Sequence, residues 1–307
     1  MAFAGRKSPS QDPAWGSARI KHLLMLQHFV THTPEPTKTT QSIPVSLFTM
    51  PSPNHPLTTL WIWPTGLFPR RLVYYLRAKH ITTTHLQQHN IHLVPVSLCN
   101  NALVSLEGYE PRPADTSLPV MRTQQLDGTE TWIRESSTIL EYFEEIFTGD
   151  ADLDLRGLSM QQRAKTRDVL SLLADAAAWS SVALIHSNPS TTFWSGLRPD
   201  QMSPSTASHA NKKCEELLSR LERWVEEDVI DGKSKSLSGK GGDVTLADMV
   251  VMVQVEYMRE MYGMDWVAEH GVLRVWCDRA KEERWVVGRE ALLEVERTGK
   301  WYSVLGA

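Results

Sequence analysis

The rhythm of hydrophobic and polar positions changes once along the chain. Before Gly149, short apolar runs alternate with single helical faces; after it, only the helical rhythm persists. Leu60-Trp61-Ile62-Trp63 is a run of aromatic and apolar residues suited to a strand, and Pro64-Thr65-Gly66 breaks it. Pro69 suits the first turn of a helix, where a missing N–H costs no hydrogen bond. Leu72, Tyr75, Leu76 and Lys79 then fall three or four apart on one face. Residues 91–98 form a second strand-like run, which Pro95 assigns to a sheet edge. Residues 100–117 have no period and are expected to be a loose connection. Residues 120–123 and 131–134 are two short strands joined through Asp127-Gly128, a strong hairpin dipeptide. Residues 136–147 are an amphipathic helix with Ile139, Leu140, Phe143 and Phe147 on one face.

Residues 159–187, 205–229, 245–262 and about 267–285 carry helical periodicity. A Lys/Ser/Gly stretch over 233–242 is expected as a flexible connection between two of these helices. A small α/β unit over 58–150 followed by an all-α unit over 151–307 is the architecture this order predicts. Residues 1–57 differ in kind. They are rich in Ser, Thr and Pro, their only acids are Asp12 and Glu35, and Pro44, Pro51, Pro53 and Pro56 oppose a long helix or central strand. They fit a disordered extension or, as the minority alternative, a mitochondrial presequence, and stand outside the expected fold.

Composition narrows the class. The chain has 307 residues, 41% hydrophobic and 22% charged, as a globular protein has. A net charge of −4 gives no field that favours nucleic acid or an anionic membrane. No uninterrupted apolar run reaches the about 18 residues of a membrane span. Cys99, Cys214 and Cys277 are odd in number and far apart, which argues against a disulfide framework and for a reducing, cytoplasmic compartment.

The densest chemistry lies at Leu118-Pro119-Val120-Met121, followed by Trp132-Ile133-Arg134-Glu135-Ser136-Ser137. A strand that begins at a proline sits beside a helix start carrying a carboxylate and hydroxyls. Such a corner suits a small peptide: main-chain groups pair with its backbone as an added strand would, and helix amides receive its carboxylate. Farther on, Thr245-Leu246-Ala247-Asp248 reads as a capping box that satisfies donors at a helix start.

In this combination and order the chain resembles the glutathione transferase superfamily. Leu118-Pro119-Val120-Met121 is similar to its cis-proline strand. Glu135-Ser136 with Ile139-Leu140-Glu141-Tyr142-Phe143 is similar to the start of its third helix. Thr245–Asp248 is similar to the capping box of its sixth helix, and Val272-Leu273-Arg274-Val275-Trp276 to its leucine-and-tryptophan helix. The resemblance covers about residues 58–290. It implies a thioredoxin-like N-terminal domain, an all-helical C-terminal domain, and glutathione as co-substrate or cofactor. The Leu118 main chain before a cis Pro119 would hold the cysteinyl backbone, Ser136 and the helix amides the γ-glutamyl carboxylate, and Glu135 the amine.

The superfamily activates the glutathione thiol with Tyr, Ser or Cys between its first strand and first helix. Residues 63–69 contain none of these, and Thr65 is the only hydroxyl there. Thr65 is therefore the candidate thiolate donor, with a turn residue as the alternative. Trp179, Trp194 and Tyr257, with His186, Phe193, Met258 and Met261, are candidate linings for a second substrate, with plain core packing as the alternative. The implied activity is addition of glutathione to an electrophilic small molecule by a homodimer, in the style of fungal secondary-metabolite enzymes. A glutathione-dependent isomerase or ether-cleaving enzyme and a non-catalytic binding module are the alternatives.

Three other signals lead elsewhere. His80, His85, His89 and His92 are close in sequence but without an acidic partner, and are expected as surface histidines rather than metal ligands. The Ser238–Gly242 stretch lacks the spacing of a phosphate loop, and no hydrolase elbow occurs.

Overall fold

The computed structural model describes residues 55–147, 153–239 and 244–307. The expected extension is thus almost wholly outside the described residues, as is the expected boundary near residue 150. The N-terminal half is a five-stranded sheet in the order β3-β2-β1-β4-β5. β1 (Leu57–Ile62) lies at its centre, parallel to β2 (Ile91–Cys99) and antiparallel to β4 (Val120–Gln124). β3 (Ala102–Ser105) and β5 (Glu130–Ile133) complete it as antiparallel outer strands. Helix α1 (Leu67–Ala78) and the short α2 (Thr83–Gln88) connect β1 to β2, and α3 (Ser136–Ile146) follows β5.

Strand alternation sorts the side chains onto two faces. Leu60, Ile62, Leu93 and Met121 join Leu72 and Leu76 of α1 and Ile139 and Phe143 of α3 in the main core. Trp61, Val94, Val96 and Val120 form a smaller cluster on the other face, where Trp61 stacks on Trp132 at 5.9 Å and Arg122 lies over both rings. The Asp127-Gly128 hairpin forms as expected: Gly128 adopts φ 84° and Asp127 Oδ1 accepts from Thr129 N at 2.9 Å.

Two expectations are corrected here. β2 is not a sheet edge, because β3 pairs with it from Val96 to Cys99. Pro95 is tolerated because that ladder stops one residue away, and its carbonyl accepts from Leu106 N at 2.9 Å. Residues 100–117 are not a loose connection. Asn100 and Asn101, at φ 50° and 61°, make the two-residue turn between β2 and β3, the conformation that such a hairpin needs. The following loop covers the outer face: Trp61 Nε1 donates to the Glu110 carbonyl at 3.2 Å, and Arg112 donates to the carbonyls of Leu103 and Thr116 at 2.7 and 2.8 Å.

The second half is helical: α4 (Met160–Ser187), α5 (Pro204–Glu226), α6 (Leu246–Tyr262), α7 (Gly271–Ala280) and α8 (Arg289–Thr298), then a final turn at Tyr302–Leu305. Ser159 and Ser203 cap α4 and α5 by accepting from Gln162 N and Thr206 N. α4 is long and apolar enough in composition to cross a membrane; here it packs against α5 and α6, as a core helix does. α8 lies beyond the periodicity seen in the sequence. Its buried positions are Leu292, Val295 and Glu296, so a carboxylate in the inward stripe masks the pattern.

Buried charges tie the parts together. Arg70 on α1 is fully buried and bridges to α6, donating to both Glu260 oxygens at 2.9 and 3.0 Å and lying 3.4 Å from Glu256. Lys79 at the end of α1 pairs with Glu144 of α3 at 2.9 Å, both buried. The 233–242 stretch is not a flexible connection over its described part. Ser234, Ser236 and Ser238 are buried, and Asp248 holds the segment in place. Its carboxylate accepts from Ser236 Oγ (2.8 Å), Leu237 N (2.7 Å), Thr245 N (2.7 Å) and Thr245 Oγ1 (2.9 Å).

Asp248→Ala is expected to destabilise the protein by about 3 kcal/mol or more, since bonds to a charged group contribute about 1.5–3 kcal/mol each; urea unfolding measures this. Lys79→Met alone is expected to cost about 3–5 kcal/mol, and the Lys79→Met/Glu144→Met pair markedly less, because the double change leaves no unpaired buried charge.

Candidate functional site

Strand register brings the sequence-predicted corner together. Trp61 pairs with Val120 in the antiparallel ladder, so the same register carried onward sets Trp63 across from Leu118. Met121 pairs with Ile133, and the same continuation sets Pro119 across from Glu135. The end of β1, the start of β4 and the start of α3 therefore meet at one end of the sheet. The Leu118–Pro119 peptide is cis, as expected. The Leu118 side chain is buried in the outer cluster, with Trp63 packed against it.

Ser136 opens α3 and is buried, while Glu135 before it is exposed. No side chain caps this helix, so its first amides lack an intrahelical partner and carry the positive end of the helix dipole. Arg71 of α1 adds a cation near this start. Its guanidinium lies over the Phe68 ring at 4.7 Å, and its Nε is buried without a hydrogen-bond partner among the described residues. Burial pushes the Arg71 pKa down to about 10 against the pull of Glu135, which leaves it cationic at neutral pH. Arg71, Ser137, Thr138, Glu141, Gln254 and Trp266 line a cavity of about 580 Å³ between the sheet half and the helical half. Arg71 is the residue that sequence reasoning missed here; inside α1 it belongs to no motif and gave no signal beyond its charge.

Thr65 stands between β1 and α1 and is buried. Both its donors are engaged by one carboxylate from the far end of the chain: Glu296 Oε1 accepts from Thr65 N at 2.9 Å and from Thr65 Oγ1 at 2.5 Å. Glu296 is itself buried. Burial pushes its pKa up, and the two Thr65 bonds pull it back.

Comparison with known proteins bears on the fold. No protein-family model and no curated protein matches the chain. Solved structures do. A glutathione transferase from Methylobacillus flagellatus, with glutathione bound, is 16% identical over 78% of this chain and 100% of that chain, at a TM-score of 0.52. One from Methylobacterium radiotolerans, in complex with glutathione sulfonate, is 17% identical over 74% and 92%, at 0.51. One from Populus trichocarpa is 16% identical over 78% and 99%, at 0.51. The chain has the glutathione transferase fold.

Within the glutathione transferase fold, the expected acceptor linings separate. Tyr257 meets Tyr262 with their rings 6.1 Å apart, and Trp194 packs partly buried against the main core. Trp179 instead meets His209 of α5 at 5.9 Å, in the packing between α4 and α5. His186 Nδ1 accepts from Ser203 N at 3.2 Å, a structural link at the start of α5. Met258 is core, and Phe193 and Met261 are exposed. Among the histidines, His85 completes the cap of α2 with Thr82, and among the described residues no group of three His, Cys, Asp or Glu could hold a metal ion.

The raised pKa of Glu296 has a stability consequence. Folding favours its neutral form, so stability is lost as pH rises from the unfolded value, about 4.3, through the higher folded value. Glu296→Gln removes that loss. Its melting temperature relative to wild type is expected to be higher near neutral pH than at about pH 4, as thermal scans across pH would record.

Proposed function

We propose that the protein is a glutathione transferase-like enzyme that adds the glutathione thiolate to an electrophilic small molecule. The observation that carries this reading is the meeting of three elements at one end of the sheet. These are the cis Leu118–Pro119 strand start, the uncapped α3 start with Ser136, and the β1–α1 junction with Thr65. The residues fit the tripeptide chemically. The Leu118 main chain offers strand-like pairing to the cysteinyl unit. Ser136 and the α3 amides suit the γ-glutamyl carboxylate, and the unpartnered Nε of Arg71 on the adjoining cavity wall adds a cation for it. Glu135 supplies the counter-charge for the amine, and Thr65 is the hydroxyl nearest the helix α1 start, where the thiol would lie. Trp194, Tyr257 and Trp179 are the proposed acceptor linings, Trp179 standing where α4 packs on His209 of α5.

A homodimer, a cytoplasmic location and a secondary-metabolite electrophile belong to this reading on the resemblance of fold and motifs alone, as do the domain limits 58–150 and 151–307. One observation favours a second reading, a non-catalytic binding module: the Thr65 hydroxyl already donates to Glu296. The two readings part on Thr65→Val, which lowers conjugation in the enzyme and changes nothing in the module.

Calorimetric titration with glutathione tests the site. The wild type is expected to bind, and Ser136→Ala and Arg71→Ala to weaken binding about tenfold each, a loss of about 1.4 kcal/mol. A folded wild type that binds no glutathione at millimolar concentration overturns the reading.

A further inference from the structure

Thr65 presents a chemical difficulty that its partner resolves. A hydroxyl has one proton to donate and two lone pairs to accept with. The Thr65 proton is spent on Glu296 Oε1, at 2.5 Å, and no donor among the described residues reaches the Thr65 oxygen. In this state Thr65 cannot stabilise a thiolate by donation, but it can accept a proton from a thiol. Glu296 is the group able to take up the proton that Thr65 would pass on. Its Oε1 is held by two donors of one residue, the Thr65 amide and the Thr65 hydroxyl, so it stays aligned with the relay.

We infer that Glu296 is a positioning residue and proton store for thiol activation, acting through Thr65. This rests on the proposed binding of glutathione beside Thr65. The step balances without a co-reactant. The thiol proton passes to Thr65 Oγ1 as the Thr65 hydroxyl proton passes to Glu296 Oε1, and the S–H bond becomes a thiolate that accepts a hydrogen bond from Thr65. The negative charge moves from the carboxylate to the sulfur, and Glu296 ends neutral. The burial that raises the Glu296 proton affinity favours this direction of transfer. The same carboxylate that occupies the Thr65 donors at rest thereby releases one of them when the thiol ionises. A threonine thus serves where a stronger acid is absent, because a carboxylate behind it receives the proton.

The relay places α8 in the chemistry. Glu296 is 231 residues from Thr65 in sequence, and its helix also carries Arg289, whose guanidinium reaches Glu260 of α6 at 3.3 Å. α8 is thereby fixed to the helical half at one end and to the β1–α1 junction at the other.

The test is the thiol pKa of bound glutathione in the full chain, read from ultraviolet thiolate absorbance across pH, beside glutathione affinity by calorimetry. Glu296→Gln keeps an oxygen that can accept both Thr65 bonds but cannot store the proton. It is expected to leave glutathione affinity within about twofold and to raise the thiol pKa by about one unit or more, which lowers the thiolate fraction at neutral pH by up to about tenfold. The pH profile of kcat/KM with a chlorodinitrobenzene acceptor should move by the same amount. An unchanged thiol pKa in Glu296→Gln, with glutathione bound, overturns this inference and leaves the proposed function standing. Absence of glutathione binding by the wild type overturns both. Thr65→Ser and Thr65→Val provide a second line should Glu296→Gln fail to fold. Serine is expected to keep the low thiol pKa and valine to lose it, and equal values in the two overturn the relay.

Discussion

The fold hinges on a charge taken out of water. Arg70 is fully buried on α1 and survives there because α6 supplies two carboxylates, Glu256 and Glu260, and the segment before α8 supplies the Val287 carbonyl. A cation in that position tolerates no alternative packing, since any displacement leaves it desolvated and unpaired. It therefore locks the angle and depth at which the sheet half meets the helical half. Tyr74, one turn along α1, donates to Glu256 and extends the lock. The next residue in sequence, Arg71, points about 100° away around the helix and faces the α3 start instead. One helix thus fixes the domain interface with one arginine and equips the candidate site with the next.

What the sequence revealed was local. The hairpin at Asp127-Gly128, the proline before β4, the Ser136 helix start and the Thr245–Asp248 cap are each written in a handful of adjacent residues. Their relative placement follows from strand register. The position of β2 inside the sheet was not legible, because it depends on β3, and β3 depends on two asparagines accepting positive φ, which short polar side chains tolerate. α8 was obscured by its buried glutamate, Glu296. A glutamate in an inward stripe breaks the apolar period, and only a partner far away in sequence explains its presence.

The same logic applies to segments that look loose. The residues after β3 and the serine-rich stretch before α6 are polar and aperiodic, yet both are ordered by bonds to groups elsewhere: the loop by Trp61 and by its own arginine, Arg112, the serines by Asp248. In the serine stretch polarity reflects hydrogen bonds made inside the protein, whereas the loop after β3 is held by a few such bonds while most of its residues stay exposed. The resemblance in the motifs gave the fold correctly. The bonding of Thr65 to Glu296 is the part that no motif carried.

The pairing of Thr65 with Glu296 also sets an order in time. The strand, turn and helix around Thr65 leave the ribosome long before the segment that carries Glu296, since 231 positions separate them. N-terminal units can begin folding during synthesis, and in that interval the β1–α1 junction holds a threonine without its carboxylate. The junction takes its final form only when the last long helix docks. Any chemistry that depends on the pair is therefore silent in a nascent chain and begins with the completed one.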